Sequence, residues 1–178
     1  MEQVVLVNEL DEVVGKMEKM EAHIKGVLHR AFSVFIFNGK GELLLQQRAF
    51  SKYHSAGLWT NACCSHPRPE EENCMAAQRR LKEELGFTTP LTKAFDFIYK
   101  TRFDNGLTEY ELDHVFIGEY DGPVFPVPEE VADYKFFSLD QVANQLQTHP
   151  ENYTSWFHIA FPKVKTWQMP DSEKLRIA

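Results

Sequence analysis

The fold of this chain is decided by residues 60–86, which read TNACCSHPRPEEENCMAAQRRLKEELG. A short β-rich segment, Thr60 to Cys64, precedes two prolines and a charged stretch, Glu70 to Leu85, with acids in its first turn and Gly86 after its end. Acids near a helix N-terminus and a glycine just beyond its C-terminus are ordinary helix boundary signals. The segment therefore predicts a strand followed by a helix, with a thiol and an imidazole where the two meet.

The predicted helix has two faces of different character. Ala77, Leu81 and Leu85 recur every four residues and predict a buried stripe. Arg80 and Glu84 have the same spacing on another face, where their side chains are neighbours. The second face is free to carry function.

Alternation and β-branched or aromatic content predict strands elsewhere in the chain. These runs are Val4 to Asn8, Ala31 to Asn38, Leu43 to Gln47, Phe95 to Phe103, Leu107 to Tyr120 and Tyr134 to Ser138. The turn sequences at residues 38–41 (NGKG) and 104–106 (DNG) are typical of tight hairpins and favour antiparallel pairing. Two further helices are predicted around Leu139 to Thr148 and Ser155 to Trp167. The expected fold is α/β (α+β): a mixed sheet flanked by helices in one compact domain, residues 1–178.

The composition is that of a soluble globular protein. The chain has 178 residues, 43% of them hydrophobic, and a net charge of -7, which argues against general affinity for nucleic acid. It has neither a signal-peptide pattern nor an apolar run near the roughly 20 residues that span a bilayer, so a cytoplasmic location is expected. Three cysteines without disulfide spacing predict free thiols. After Pro162 the sequence has no motif that we can interpret.

Glu109 and Glu111 are the first candidate site residues. They lie at positions i and i+2 of a β-rich run, so both carboxylates project from one face of a strand. An exposed polar strand face would have the same pattern. The carboxylates are also suited to holding a cation.

Cys64 and His66 have the same i, i+2 relation if the chain is extended up to Pro67, a residue that disfavours helical geometry before it. Both side chains would then lie on one side. A buried packing thiol is the ordinary expectation for a cysteine, and we apply it to Cys63 and Cys74. Cys64 is singled out because an imidazole and a charged helix lie beside it.

Three histidines and the two glutamates form a candidate metal-binding set. His23 and His29 flank a short link before a strong strand, and His66 follows Cys64. A lone histidine is seldom a ligand, but three imidazoles with Glu109 and Glu111 fit an octahedral divalent site better than a tetrahedral zinc site. Mn²⁺, Mg²⁺ or Zn²⁺ could each be bound.

Basic residues near these acids are suited to an anionic ligand such as a diphosphate, which arginine can grip with two hydrogen bonds. They are Lys19, Arg48, Lys52, Arg79 and Arg80. Each alone could be a solvated surface charge. Glu84 could hold a Mg²⁺ ion that bridges diphosphate oxygens.

Residues 65–87 resemble the Nudix box, G-x5-E-x7-R-E-U-x-E-E-x-G-U, in which U is apolar. The matching positions are Glu71, Arg79, Leu81, Glu83, Glu84, Gly86 and Phe87. Ser65 replaces the first glycine, and Arg80 replaces the glutamate after the box arginine. Because Nudix hydrolases use that glutamate in their magnesium-binding cluster, the change makes hydrolysis a weaker expectation.

The box of this chain resembles that of the type I isopentenyl diphosphate isomerases, which usually have glycine at the position of Ser65. The resemblance to these isomerases runs from Val5 to about Trp156. Their motifs occur here in the same order, namely Lys19 with His23 and His29, Arg48-Ala49-Phe50-Ser51-Lys52, Trp59-Thr60-Asn61, Cys64-Ser65-His66-Pro67 and Glu109-Tyr110-Glu111. The resemblance implies a Nudix-like fold and conversion of isopentenyl diphosphate to dimethylallyl diphosphate, the allylic primer of isoprenoid synthesis. It also implies a prenyl diphosphate as the small-molecule substrate. We expect neither a nucleic-acid nor a membrane partner, and a monomer or weak homodimer.

The resemblance assigns roles to the candidate residues. One divalent ion would be bound by the three histidines with Glu109 and Glu111, and a second, substrate-borne Mg²⁺ by Glu84 with the carbonyl of Cys64. Cys64 and Glu111 would be the catalytic pair, joined by Tyr99 and by Trp156 as an aromatic face for a carbocation. The diphosphate would be bound by Lys19, Arg48, Lys52 and Arg80.

Two other functions remain open from the sequence. One is a Nudix hydrolase of a nucleoside diphosphate or related pyrophosphate, which would release phosphate or a nucleoside monophosphate. The other is a noncatalytic diphosphate-binding module, which would bind its ligand without turnover.

Overall fold

A nine-stranded mixed sheet organises the part of the chain that the computed structural model describes, residues 2–168. The strands are β1 (Gln3–Val7), β2 (Val13–Glu18), β3 (His29–Phe37), β4 (Leu43–Arg48), β5 (Trp59–Thr60), β6 (Cys63–Ser65), β7 (Thr92–Arg102), β8 (Thr108–Glu119) and β9 (Val131–Phe137). The helices are α1 (Lys19–Lys25), α2 (Asn73–Leu85), α3 (Leu139–Thr148) and α4 (Ser155–Gln168), with a 3₁₀ turn at Pro150–Asn152. The predicted mixed sheet flanked by helices is confirmed.

Strand β3 is the centre of the sheet and aligns the candidate site residues. It runs parallel to β8, with His29 opposite Glu111, and antiparallel to β6, with Ser33 opposite Cys64. Strand β7 pairs with the other edge of β8 and sets Tyr99 opposite Glu111. Residues far apart in the sequence therefore meet on neighbouring strands.

The two predicted hairpins are present. Strands β3 and β4 pair as Phe37 opposite Leu43, and the Oδ1 atom of Asn38 accepts hydrogen bonds from the backbone N–H groups of Lys40 and Glu42. Strands β7 and β8 pair antiparallel across the 104–106 turn, where Gly106 has a φ of 86°. Gly41 and Gly106 supply the positive φ angles of these turns, whereas the side chains of Asn38 and Asn105 accept hydrogen bonds from the turn backbone.

The alternation of β3 divides the core into two layers. Phe35 and Phe37 pack on the face covered by α3 and α4, whereas Phe32, Val34 and Ile36 pack on the face covered by α2. Both faces are apolar because a strand at the centre of a sheet is buried on each side. The predicted stripe of α2 is confirmed, since Ala77, Leu81 and Leu85 are fully buried.

The start of α2 corrects the predicted boundary. The helix begins at Asn73 and not at Glu70, whose φ of 69° is left-handed. Glu71 accepts hydrogen bonds from the backbone N–H of Arg68 and from Arg79 of the helix. The acidic segment predicted as the first turn of the helix is therefore a turn that precedes it. Its Glu71 hydrogen-bonds to Arg79 of the helix.

Three other features of the secondary structure differ from the prediction. The single strand Thr60 to Cys64 is two short strands, β5 and β6, and the helix α1 and the edge strand β2 were not predicted. The α1 helix is only seven residues long, too short for a periodic pattern. Its Gly26 in the left-handed conformation was the available boundary signal.

The C-terminal segment is partly described. Pro162 lies inside α4, and residues 169–178, the rest of the stretch without an interpretable motif, lie outside the described residues. Within residues 2–168, no helix combines the length and apolar character needed to cross a membrane.

Gly86→Ala should destabilise the protein by about 1–3 kcal/mol. Gly86 ends α2 with a φ of 76°, and a Cβ there would lie 2.8 Å from the Phe125 Cβ and 2.9 Å from the Phe125 carbonyl oxygen. Denaturant unfolding measures the loss. Gly15→Ala is the matched control because its Cβ would meet only Leu6 at 3.8 Å. Equal stability of the two variants would contradict the steric explanation.

Candidate active site

A mostly polar cavity of about 70 Å³ brings the candidate residues together. It is lined by Lys19, Ser33, Gln46, Arg48, Lys52, Tyr53, His54, Cys64, Ser65, His66, Arg80, Glu84, Tyr99, Glu109, Glu111, Asp113, Glu130 and Trp156. The predicted catalytic and diphosphate-binding residues are all among them. His23 and His29 adjoin the cavity through their contacts with Glu111.

Three imidazoles and one carboxylate form a compact buried cluster. One ligand atom from each of His23, His29, His66 and Glu111 lies within 4.8 Å of the other three. The Oε1 atom of Glu111 is 2.9 Å from the His66 Nε2 and 3.4 Å from the His29 Nε2. Donors of this type at these separations fit a divalent metal ion, whose bonds to nitrogen and oxygen are about 2.0–2.2 Å.

The protonation of the cluster favours a cation. The His29 Nδ1 is 2.8 Å from the carbonyl oxygen of Val27, so it donates there and leaves the Nε2 lone pair pointing at the His23 Nε2, 3.3 Å away. Burial lowers the pKa of His23 to about 3 and also lowers that of His66. Neutral imidazoles keep a lone pair for a metal ion.

Glu109 and Glu111 have different environments. Burial alone would raise the pKa of Glu111, but His66 and His29 lower it well below its ordinary value. Burial and the neighbouring Glu111 raise the pKa of Glu109 well above its ordinary value. Tyr99 donates to the Glu111 Oε2 at 2.7 Å and lies 3.2 Å from the Glu109 Oε2. Glu109 is thus in the same cavity but outside the four-residue cluster.

Cys64 is a partly buried thiol at the wall of the cavity. It lies on β6, one residue before Ser65 and two before His66, and all three line the cavity. Burial raises the pKa of Cys64 far above its ordinary value, so the side chain is a thiol at neutral pH. Cys63, Cys64 and Cys74 are all free, as the sequence predicted.

Glu84 is the carboxylate that α2 contributes to the cavity. Glu84 accepts hydrogen bonds from Arg80 at 2.7 Å and from the Gln46 side chain at 2.9 Å. Arg80 also pairs with Glu83 at 2.8 Å and with Glu130 at 3.2 Å. The predicted functional face of α2 does face the cavity, but Arg80 is already neutralised by acids.

The other cations differ in how far they are paired. Lys52 forms an ion pair with Glu130, and Lys19 lies 3.1 Å from Glu2. Arg48 has no carboxylate partner among the described residues, and its buried Nε has no hydrogen-bond partner there. Its guanidinium lies 5.4 Å from the ring centroid of Trp156. Arg48 is therefore the cation of the cavity with most bonding capacity to spare.

Trp156 is a fixed aromatic wall. It is 2% exposed, and its Nε1–H donates to the Oδ1 of Asn61 at 3.2 Å. The Asn61 side chain in turn donates to the carbonyl oxygens of Val34 and Cys63. These bonds connect the ring of α4 to the strand segment that carries the thiol.

The sequence did not indicate several residues of the cavity, among them Asp113 and His54. Asp113 accepts a 2.7 Å hydrogen bond from Ser33, and burial raises its pKa to about 8. It continues the alternation of Glu109 and Glu111, which was the available signal. His54 lies in the β4–β5 loop with its Nε2 3.2 Å from the Glu109 Oε1. No local pattern indicated that residue.

Comparison with known protein families agrees with the fold. A family model described as NUDIX domain matches residues 27–157. A Deinococcus radiodurans protein superposes with a TM-score of 0.69 at 19% identity, over 83% of this chain and 90% of that one. A MutT protein from Methanosarcina mazei superposes with a TM-score of 0.64 at 22% identity, over 76% and 91%. At such low identities these structures support the fold alone.

Two other proteins match this chain at much higher sequence identity than these structures do. The isopentenyl-diphosphate Delta-isomerase of Pectobacterium atrosepticum is 49% identical over 175 residues, covering 98% of both chains. The isopentenyl-diphosphate Delta-isomerase 2 of Aromatoleum aromaticum is 48% identical over 163 residues, covering 92% of this chain and 86% of that protein. The chain therefore belongs to the Nudix family and, within it, to the isopentenyl-diphosphate Delta-isomerases.

Proposed function

We propose that the protein isomerises isopentenyl diphosphate to dimethylallyl diphosphate in isoprenoid biosynthesis, as the names of its relatives imply. The single observation that carries the proposal is that a thiol, Cys64, and a carboxylate, Glu111, line the same cavity. Moving the double bond requires one proton to be added and another to be removed. Each of the two groups can exchange a proton, so one can add a proton while the other removes one.

The reaction conserves protons and electrons. A proton joins the terminal methylene carbon of the alkene, which leaves a tertiary carbocation at the branched carbon. A second proton then leaves the methylene carbon next to the cation, on the side of the diphosphate, and the new double bond forms there. Because an unactivated alkene is a weak base, the step needs a well-placed acid and a cavity that excludes water. The buried Glu111 and Tyr99, with the partly buried Cys64 beside them, supply such a setting.

Trp156 and Tyr99 support the reacting centre in this proposal. The indole ring is a fixed aromatic face, and such a face stabilises a desolvated cation by roughly 2 kcal/mol. Burial and the two nearby glutamates raise the pKa of Tyr99 well above its ordinary value, so its hydroxyl remains a donor to Glu111. Tyr99 therefore orients the catalytic carboxylate.

The metal ligands of the proposal are His23, His29, His66, Glu109 and Glu111. The compact cluster of the three imidazoles with Glu111 fits a divalent ion, and Mn²⁺, Mg²⁺ and Zn²⁺ are all compatible with its donors. Such an ion would supply positive charge beside the two buried glutamates. Glu84, with the Cys64 carbonyl, is proposed to hold the substrate-bridging Mg²⁺.

The diphosphate is proposed to bind to Arg48, Lys52, Lys19 and Arg80. Arg48 ranks first because its guanidinium is the one least neutralised by carboxylates. Arg80 ranks last because Glu83, Glu84 and Glu130 surround it.

Arg48→Gln should raise KM for isopentenyl diphosphate by about 10- to 100-fold, since a hydrogen bond to a charged group contributes about 1.5–3 kcal/mol. The value of kcat should change much less if Arg48 binds the substrate and transition state equally. Steady-state kinetics measures both. Lys40→Gln is the matched control, because it removes one charge from the exposed β3–β4 turn. A loss confined to kcat would contradict the assignment.

The reaction itself is tested by incubating the protein with isopentenyl diphosphate and Mg²⁺ or Mn²⁺ in D₂O and following products by NMR. Deuterated dimethylallyl diphosphate, absent after metal removal with a chelator, would establish the isomerisation. An unchanged substrate under every divalent metal would refute it.

Assays on the same purified protein distinguish the competing functions. Release of phosphate or a nucleoside monophosphate from a nucleoside diphosphate would identify a hydrolase. That reading is weakened because Arg80 occupies the position of a box glutamate and pairs with the remaining acids Glu83 and Glu84. Tight substrate binding without turnover would identify a noncatalytic module. We propose further that residues 1–178 act as one domain in the cytoplasm, as a monomer or weak homodimer.

A further inference from the structure

We propose that His54 is a positioning residue of this site, whose imidazole N–H holds the Glu109 carboxylate in the orientation needed for the metal ion. The inference rests on the metal site of the proposed function and adds to it a residue of the β4–β5 loop. His54 is not itself counted among the metal ligands or the catalytic residues.

The contact is direct and buried. The His54 Nε2 lies 3.2 Å from the Glu109 Oε1, and the two residues are 8% and 4% exposed. A polar contact of this length between buried groups is protected from competition by water. Losing the imidazole would leave a buried carboxylate oxygen without this polar partner, which is costly.

The surroundings of His54 accommodate a proton on Nε2. The Ser55 hydroxyl lies 3.3 Å from the His54 Nδ1 and can donate to it when the N–H is on Nε2, the nitrogen that contacts Glu109. The imidazole stacks on Phe103 with centroids 4.7 Å apart and meets the Tyr53 ring edge-on at 4.5 Å. Stacking and hydrogen bonding together restrict the ring to one orientation.

Glu109 needs this second anchor because Tyr99 holds it only weakly. The Tyr99 hydroxyl is 3.2 Å from the Glu109 Oε2 but only 2.7 Å from the Glu111 Oε2. One hydroxyl carries one proton, and the shorter contact takes it. His54 is then the donor available to Glu109 among the described hydrogen-bonding side chains around it.

His54 also links the two halves of the site. Its backbone carbonyl accepts a hydrogen bond from the Arg48 guanidinium at 3.3 Å, while its side chain contacts Glu109. The proposed diphosphate ligand and the proposed metal ligand are therefore joined through a single residue of one loop. Such supporting contacts orient ligands and typically change metal affinity by about 10- to 100-fold when they are removed.

The test uses two substitutions of similar size in the full-length, metal-free protein. His54→Leu removes the donor, whereas His54→Gln keeps an amide N–H near the position of Nε2. Mn²⁺ affinity is measured by calorimetry and by the EPR signal of free Mn²⁺. We expect His54→Leu to bind Mn²⁺ about 10- to 100-fold more weakly than the wild type, and His54→Gln to recover most of that loss. His149→Ala, an exposed imidazole outside the cavity, should bind as the wild type does.

The results that would overturn the inference are distinct from those that would refute the metal site. Wild-type affinity in His54→Leu, or equal losses in His54→Leu and His54→Gln, would reduce His54 to a packing residue. If the wild type and a His29→Ala variant bound Mn²⁺ equally weakly, the metal site itself would fail. If His54→Leu does not fold, His54→Asn replaces it, because its shorter amide does not reach Glu109.

Discussion

Glu111→Gln is expected to abolish the isomerisation, with a loss of about 10³-fold or more in kcat, since a positioned acid or base contributes about 10²–10⁴-fold. Glu111 contacts His29, His66 and Tyr99, so glutamine preserves its shape while removing its ability to exchange a proton. The D₂O assay should then show neither product nor deuterium uptake. Steady-state kinetics on the purified variant gives the size of the loss.

The control for this variant lies on the same strand. Glu119→Gln makes the same chemical change at the exposed end of β8 and should leave turnover unchanged. Mn²⁺ binding by Glu111→Gln distinguishes a lost proton exchange from a lost metal ion. Activity of Glu111→Gln within about tenfold of the wild type would remove Glu111 from the proton transfer.

Cys64→Ala is the second substitution expected to abolish turnover, again by about 10³-fold or more, because it deletes the other member of the proton-exchanging pair. The fold should survive, since β6 keeps its backbone pairing with β3 and alanine fits where the thiol was. Circular dichroism and thermal unfolding check the fold, and the NMR assay checks the reaction.

Cys74→Ala is the matched control for Cys64→Ala. The Cys74 thiol is half-buried on α2, 3.9 Å from the carbonyl oxygen of Leu91, and does not line the cavity. The Cys74→Ala variant should retain full activity. Comparable activity in Cys64→Ala would mean that the second proton is exchanged by another group, and Asp113 would then be the first residue to examine because it is buried in the same cavity.

The two substitutions change groups whose surroundings differ. Burial raises the pKa of Cys64, whereas His66 and His29 lower the pKa of Glu111 despite its burial. Two titratable groups whose pKa values are shifted in opposite directions are typical of a site that both adds and removes a proton.

Local signals were enough to predict much of the fold. The hairpin turns at 38–41 and 104–106 and the end of α2 at Gly86 depend on residues that tolerate unusual backbone angles, so they are readable from short windows. The buried stripe of α2 depends on a repeat of four residues. The edge strand β2 escaped prediction because residues 13–16 are exposed and lack the alternation of a half-buried strand.

Part of the candidate site was also predictable from short stretches of sequence. Glu109 and Glu111 lie on one face because strand side chains alternate, and Cys64 with His66 follow the same rule. The family resemblance then connected these pairs with His23 and His29. All of them border the same cavity in the structure.

What the sequence by itself determined is therefore the family, the strand and helix types and the chemical groups of the site. Only the tertiary structure decided that β3 and β8 run parallel with His29 beside Glu111, and that a loop brings His54 to Glu109. It also decided that Arg48 is less neutralised than Arg80. Local patterns depend on backbone geometry within a few residues, whereas these contacts join segments about 80 and 55 residues apart, and such pairings depend on packing of the whole core.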